Sequence, residues 1–348
     1  MVDRLPWAEG PAARRILIVS DAWQPQVNGV VRTLDAVRHE LVARGDQVTV
    51  IGPDRFRTFP MPGYREIPLA LVSSARLRQL VDEAAPESVH VATEGPLGWA
   101  MRALCRRRGW RFTSSFHTRF PDYLHARAGI PRDWSWALLR RFHAPAAATL
   151  CTTPALAEEL AARGFAGVQP WSRGVDLAAF APGLGEAQPW ESLPRPIFLA
   201  AGRVAVEKKL DAFLGLDLPG SKVVVGDGPA RTALQKRFPA AHFAGWLGGA
   251  SLARAYGAAD VMVFPSRTDT FGLVVLEALA CGTPVAAYPV PGPREVIAGH
   301  GVGAVAEDLR AACLAALGAT PEACRARAAA FSWAACAARF RASLVGLA

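Results

Sequence analysis

The chain has 348 residues, 51% hydrophobic and 20% charged, which is enough for two domains with sizeable cores and excludes a disordered chain. Its formal net charge is +9, carried almost wholly by Arg, and the first 176 residues hold an excess of six cations against three in the remainder. A basic first half suits either a plain soluble surface or an anionic membrane surface, but no RNP pair, zinc-finger spacing or basic heptad is present, so no nucleic-acid partner is expected.

The leader MVDRLPWAEGPAARR lacks the apolar core of a signal peptide. Arg15–Ser20 (RILIVS) reads as a buried-type strand. Turn residues Pro25, Asn28 and Gly29 follow, then an amphipathic helix to about Arg44, then a strand in QVTVIGP. Strand, helix and strand in that order make a βαβ unit and hence a parallel sheet. The loop has no G-x-G-x-x-G, so a dinucleotide fingerprint is absent. Asn28 and Gly29 are either a ligand loop or a plain turn feeding a helix.

Ser88–Val91 is a further strand, and a helix is expected from Pro96 to Gly109. Arg102, Arg106, Arg107 and Arg108 crowd its C-terminal half, as on a solvated face favoured by the helix dipole. Phe112–Phe116 is strand-like, with His117 just past its carboxyl end. A lone His is commonly structural, but strand ends of open α/β sheets line the ligand crevice. Residues 120–143 interleave Tyr123, Trp134, Trp136, Leu138, Leu139 and Phe142 with Arg127, Arg132, Arg140 and Arg141, at helical spacing from Asp133. That pattern fits a membrane-interface helix or a core helix with a basic outer face. Thr149–Thr152 is a strand, and TPALAEELAARGF a capped helix. The longest apolar stretch, residues 144–157, is too short to span a bilayer. The six cysteines are scattered without a C-x-x-C pair, which fits a reducing cytosol and neither a zinc site nor a disulfide framework.

Residues 182–196, rich in Pro and Gly and without period, are expected to link a domain of residues 1–181 to one of residues 197–348. The second domain opens with the strand IFLAAGRV, and AVEKKLDAFL is expected to open a helix. Arg203 and Lys208 flank that turn, so two cations and helix N–H groups converge where a diphosphate would sit; the alternative for Lys208 is a surface pair with Glu207. Strands follow in KVVVGDGP and HFAGW, the latter leading through Trp246 to a helix. Val261–Phe264 is a strand, Ser266–Gly272 a loop at its carboxyl end, and Leu273, Leu276, Leu279 and Ala280 recur at helical spacing. Asp269 lies in that loop. Glu277 sits inside LVVLEALAC, where a buried carboxylate is costly without partners, so it is either a ligand carboxylate or part of a solvated face. The tail from about Glu322 reads as helix.

These stretches resemble the retaining nucleotide-sugar glycosyltransferases of family four, over nearly the whole chain. The signature of two acids separated by seven residues stands as Asp269 and Glu277, with Asp where the first acid is usually Glu, followed by Cys281-Gly282-Thr283-Pro284-Val285. The Gly-Arg…Glu-Lys element is carried by Arg203 and Lys208, with Lys209 in place of the usual Asn. Phe116-His117-Thr118 resembles the family's Phe-His-Thr, and Arg173-Gly174-Val175-Asp176 its Arg-Gly-Val-Asp. The resemblance implies the GT-B architecture, two Rossmann-like parallel-sheet domains of α/β class facing across a crevice, with the last helix packed back on the first domain. It implies that Arg203 and Lys208 bind the diphosphate, and that Asp269 and the N–H groups of Thr270, Phe271 and Gly272 hold the donor sugar. It further implies that Glu277 takes the ribose hydroxyls, that His117 lies beside the donor sugar, that Asn28 and Gly29 face donor phosphates or acceptor, and that the loop near Trp246 seats the base.

No D-x-D occurs, so no metal is expected, and no cofactor beyond the donor, a UDP-sugar or GDP-mannose. Transfer with retention is expected by front-face attack, since no carboxylate nucleophile is evident. The combination looks most like bacterial lipid and mannosyl transferases. The basic first half and the Trp/Arg segment favour a lipid acceptor, diacylglycerol first, with GDP-mannose transfer to a glycolipid or glycan as the alternative. The enzyme is then expected in the cytoplasm, peripheral on the inner face of the cell membrane. A non-catalytic nucleotide-sugar-binding protein on the same fold is the reading of another class.

Overall fold

The computed structural model describes residues 13–26, 28–61, 64–122 and 129–348. The expected leader, Tyr123 and Arg127 therefore lie wholly or mostly outside the described residues. In the first half, β1 (Arg15–Val19) leads through α1 (Gly29–Ala43) to β2 (Gln47–Ile51). An antiparallel pair follows, β3 (Arg57–Met61) and β4 (Tyr64–Leu71), then α2 (Ser74–Ala84). The sheet resumes with β5 (Ser88–Val91), α3 (Pro96–Arg108), β6 (Thr113–Ser115), α4 (Arg132–His143), β7 (Ala148–Cys151), α5 (Pro154–Ala162) and β8 (Val168–Pro170). The sheet is parallel, in the order β2-β1-β5-β6-β7-β8.

The second half repeats the plan. It runs β9 (Ile197–Ala201), α6 (Leu210–Leu214), β10 (Ser221–Val225), α7 (Arg231–Arg237), β11 (His242–Gly245), α8 (Gly249–Ala258), β12 (Val261–Phe264), α9 (Leu273–Ala280), β13 (Val285–Ala287), α10 (Pro291–Ile297), β14 (Gly303–Val305) and α11 (Leu309–Ala316). Its parallel sheet has the order β11-β10-β9-β12-β13-β14. In both sheets the chain builds outward on one side, then returns to the other side of the first strand. The switch points lie between β1 and β5 and between β9 and β12, and such points open the ligand crevices of α/β sheets.

Successive strand residues feed opposite layers because side chains alternate across a sheet. Ile16 and Ile18 pack with Leu34, Val37 and Leu41 of α1, whereas Leu17 and Val19 pack with Val81, Leu97 and Met101. Likewise Leu199 faces Tyr256, Val275 and Leu279, whereas Phe198 and Ala200 face Phe213 and Leu214. Each fully buried side chain of this size contributes roughly 1.5–3 kcal/mol.

The final helices are α12 (Pro321–Ala329) and α13 (Trp333–Ser343). The latter returns to the first sheet: Cys336, Ala337 and Phe340 join the core of Ile16, Ile18 and Leu34. Arg341 pairs with the buried Asp46 at 2.7 Å, and the Trp171 indole donates to the Cys336 carbonyl at 3.0 Å. The segment of residues 182–196 is not a loose tether. It forms a short 3-10 turn at Pro189–Ser192, buries Trp190, and ties Glu191 to Arg254 of α8 at 2.6 Å. Among the described residues no helix is long and apolar enough to cross a membrane.

Candidate active site

The second sheet's switch point holds the first cluster. The chain leaves β9 through Gly202 and Arg203, and leaves β12 through Ser266 toward Asp269. Lys208 Nζ donates to both Asp269 carboxylate oxygens, at 2.6 and 2.8 Å. The expected helix at AVEKK is absent: Val206–Lys208 is a 3-10 turn, Lys209 takes a left-handed conformation at φ 53°, and α6 begins only at Leu210. The cause is local. The left-handed residue breaks the helical ladder, and the turn directs the Lys208 ammonium into the crevice toward Asp269. Arg203 is half-buried at the first turn after β9.

Gly272 starts α9 at φ 85°, and a Cβ there would lie 2.8 Å from the Phe264 ring, so the loop's exit requires glycine. The helix has no side-chain N-cap, which leaves its first N–H groups for other partners. Phe271 is buried, and Thr270 reaches the first half: its hydroxyl donates to the His117 carbonyl at 2.8 Å, while Thr152 donates to the Thr270 carbonyl at 2.7 Å.

Glu277, on α9, is 2% exposed, which settles the solvated-face alternative against it. The Tyr256 phenol donates to Oε2 at 3.1 Å, and Arg32 Nη2 of α1 stands 2.5 Å from Oε1. Burial raises the carboxyl pKa, and the Arg32 charge is the first force opposing it. Neither Arg32 nor Tyr256 was anticipated from sequence. A signal for Arg32 existed: it lies one helical turn beyond Asn28, and helical side chains lean toward the N-terminus, here toward the crevice.

Asn28 caps α1, its Oδ1 accepting from the N–H groups of Val30 and Val31 at 3.0 Å each. Its side chain thus serves the helix in the way the plain-turn reading expects. The neighbouring Gly29 still faces the second half, where a Cβ would meet Leu273 of α9 at 3.8 Å.

His117 follows β6 and is buried. Arg173 Nη2 donates to its Nδ1 at 3.0 Å, which places the neutral ring's proton on Nε2. Burial, and then the Arg173 charge, hold the imidazole pKa well below its ordinary value. Nε2 is buried and finds no hydrogen-bond partner among the described residues. Arg173 is itself buried over the Trp171 ring at 4.5 Å, its pKa lowered to about 10 by desolvation, so it stays a cation at neutral pH. In the sequence it stands out only as part of the Arg-Gly-Val-Asp segment, two residues after Trp171.

Trp246 stands at the end of β11, the edge strand two places from β9, 70% exposed with its ring over Gly248. On α4, Trp136, Leu139 and Phe142 are buried, and Trp136 stacks on Phe116 at 5.8 Å. The outer face carries Trp134, 65% exposed, with Leu138 and Arg141 at the following turns. Arg102 departs from the solvated face expected for α3. It is buried and caps the end of α4, donating to the Phe142 and Arg141 carbonyls at 2.8 and 2.7 Å.

The Glycosyltransferase Family 4 profile matches residues 27–179, and the profile described as Glycosyl transferases group 1 matches residues 195–319. A GDP-mannose-dependent alpha-mannosyltransferase of Mycobacterium tuberculosis is 35% identical, over 83% of this chain and 82% of that protein. An alpha-monoglucosyldiacylglycerol synthase of Streptococcus pneumoniae is 25% identical, over 88% and 79%. The fold is similar to that of sucrose-phosphate synthase from Thermosynechococcus elongatus, with a TM-score of 0.76 at 21% identity, covering 94% of this chain and 97% of that one.

Proposed function

The chain belongs to glycosyltransferase family 4, with the GT-B fold, and from that premise we propose that it moves a hexosyl group, with retention, from a nucleoside diphosphate sugar to a lipid acceptor. That it is a glycosyltransferase using a nucleotide sugar follows from the family. The observation that carries the finer reading is the Lys208–Asp269 pair at the β9/β12 switch point.

In this proposal Arg203 and Lys208 bind the diphosphate and neutralise it as the bond from C1 to the phosphate oxygen breaks. Lys208 leaves Asp269 to do so, freeing both carboxylate oxygens for hydroxyls of the sugar. Glu277 accepts the ribose hydroxyls, and His117 donates its Nε2 proton to a hydroxyl of the transferred sugar. The acceptor hydroxyl attacks C1 from the face the diphosphate leaves. Its proton passes to the departing phosphate oxygen, and configuration is kept. The two cations supply the fixed charge that a bridging metal supplies elsewhere.

The donor is GDP-mannose on this reading, supported by the name of the mycobacterial relative. Transfer from a UDP-hexose or UDP-hexuronic acid to diacylglycerol is the second reading, supported by the name of the pneumococcal one. The lipid acceptor and peripheral attachment to the inner face of the cell membrane rest on that second relative and on the exposed Trp134, Leu138 and Arg141. The test is a panel of GDP-mannose, UDP-glucose and UDP-glucuronate against vesicles of diacylglycerol or total lipid, with and without EDTA. A lipid-linked α-hexoside, formed equally with EDTA, is the expected product. Transfer to soluble glycans alone would overturn the lipid acceptor, and loss with EDTA restored by Mg²⁺ or Mn²⁺ would overturn the metal-free route.

A further inference from the structure

We infer that Arg32 is a positioning residue of the donor site: from α1 it holds the Glu277 carboxylate across the crevice as a two-oxygen acceptor for a nucleotide ribose. The inference deepens the proposed function and rests on Glu277 taking the ribose.

The geometry is specific. Glu277 belongs to α9 of the second half, and Arg32 to α1 of the first, yet Arg32 Nη2 stands 2.5 Å from Glu277 Oε1. The other groups facing the carboxylate are the Tyr256 phenol from α8 and the Cys281 thiol past the end of its own helix. Burial pushes both of these up, the thiol to about 12, so both are neutral near pH 7. Arg32 is therefore the cation that faces Glu277 among the described residues. Its guanidinium also lies over the Phe180 ring at 5.9 Å, which helps to fix its direction.

An ionised carboxylate offers about four lone-pair sites, whereas a protonated one becomes a donor and loses acceptor capacity. The Tyr256 phenol donates to Oε2, while Arg32 pairs with Oε1 by charge and makes no hydrogen bond to it, so the ionised carboxylate keeps lone-pair sites on both oxygens for two ribose hydroxyls. Without the cation, burial favours the protonated acid, which cannot accept both hydroxyls. Because Arg32 comes from the opposite half, the grip on the ribose is made by both halves together.

The test is calorimetric binding of UDP and GDP, and of their 2′-deoxy counterparts, to the full chain and to its Arg32→Gln and Arg32→Lys variants between about pH 6 and 8.5. Affinity that needs the ionised carboxylate is present above its pKa and lost as pH falls through it. Arg32→Gln is thus expected to lose roughly tenfold in affinity for the ribonucleotide at the acid end and to recover part of it at the alkaline end. Its preference over the 2′-deoxynucleotide should shrink in parallel. Arg32→Lys, which keeps the charge, should stay close to the unsubstituted protein. A loss in Arg32→Gln that is equal at every pH, with the ribose preference intact, would reduce Arg32 to a structural role. No loss at all would overturn the inference. Indifference of the unsubstituted protein to the 2′-hydroxyl would overturn the ribose reading itself, whatever Arg32 does.

Discussion

Arg173 donates to His117 Nδ1 at 3.0 Å, and both side chains are buried at the end of β6. The pair fixes the tautomer, leaves Nε2–H as a donor, and keeps the ring neutral across the physiological range. In the proposed site His117 therefore acts as a hydrogen-bond donor and not as a titrating base. His117→Ala should lower kcat/KM by about 10–10²-fold, the range of a lost site donor. The profile of kcat/KM against pH should show no acid limb near pH 6.5. An acid limb there that disappears in His117→Gln would sink this role.

The Lys208–Asp269 pair makes a prediction about additivity. Lys208→Ala should cost about 10²-fold in kcat/KM or more, and Arg203→Ala a similar amount, because each removes charge from the leaving diphosphate. Asp269→Asn should also cost activity, through the sugar hydroxyls. Side chains in direct contact do not add, so Lys208→Ala combined with Asp269→Asn should cost clearly less than the two losses multiplied. Binding of the nucleoside monophosphate should change little, since Glu277 remains. Full additivity in the kinetic cycle would separate the two residues functionally, and unchanged kcat in Arg203→Ala and Lys208→Ala would remove them from the diphosphate.

Much of the scaffold is legible because the strands are short, mostly apolar runs followed by a turn and a helical pattern. RILIV, SVHV, IFLAA and VMVF all appear where periodicity puts them. The β3–β4 pair leaves no strand signal, since residues 57–71 do not alternate apolar with polar, whereas α2 carries a helical one in Leu77, Leu80 and Val81 behind the Ser73 cap. The turn at Lys209 is hidden in the sequence because E-K-K-L-D is helix-forming by composition, while Lys209 takes a left-handed conformation. For the site, strand-end positions taken together with the family resemblance point to His117, Arg203 and Asp269. They could not reveal who pairs with whom. The contacts of Arg173 with His117 and of Arg32 with Glu277 span 56 and 245 residues of chain, and no local pattern encodes a partner at that distance.

Acid should destabilise the fold through two buried histidines. Burial lowers the pKa of His90 to about 3 and that of His117 well below 6.5, so both are depressed relative to the unfolded chain. Below about pH 6.5 the unfolded chain takes up two protons that the folded one refuses. The stability these residues contribute is complete above that pH and is lost as pH falls toward the folded values. Each histidine contributes a slope of about 1.4 kcal/mol per pH unit in that window. The melting temperature should fall steadily from about pH 6.5 to 5, and less steeply in His90→Asn. A flat melting temperature across that window would mean that the two rings are protonated in the folded protein.

The proposed peripheral attachment to a membrane takes its physical basis from α4. Its inner face is spent on the core through Trp136, Leu139 and Phe142, yet Trp134 and Leu138 remain exposed beside Arg140 and Arg141. Arg102 ties the end of α4 to α3, and its pKa is lowered in part by Arg106 and Arg141, which places those cations near one another. The patch therefore joins an aromatic anchor to several positive charges. Each cation close to an anionic surface contributes roughly 1 kcal/mol, so a handful gives attachment that salt can reverse. Co-sedimentation should show binding to anionic vesicles at low salt, release at high salt, and little binding to neutral vesicles. Trp134→Ser and the paired change Arg140→Ser with Arg141→Ser should each weaken vesicle binding and transfer to lipid. Hydrolysis of the donor in solution should persist, because the cluster at the β9/β12 switch point is untouched. Equal binding to neutral and anionic vesicles, or none to either at low salt, would remove the membrane from the proposal and turn the search for the acceptor to soluble glycans.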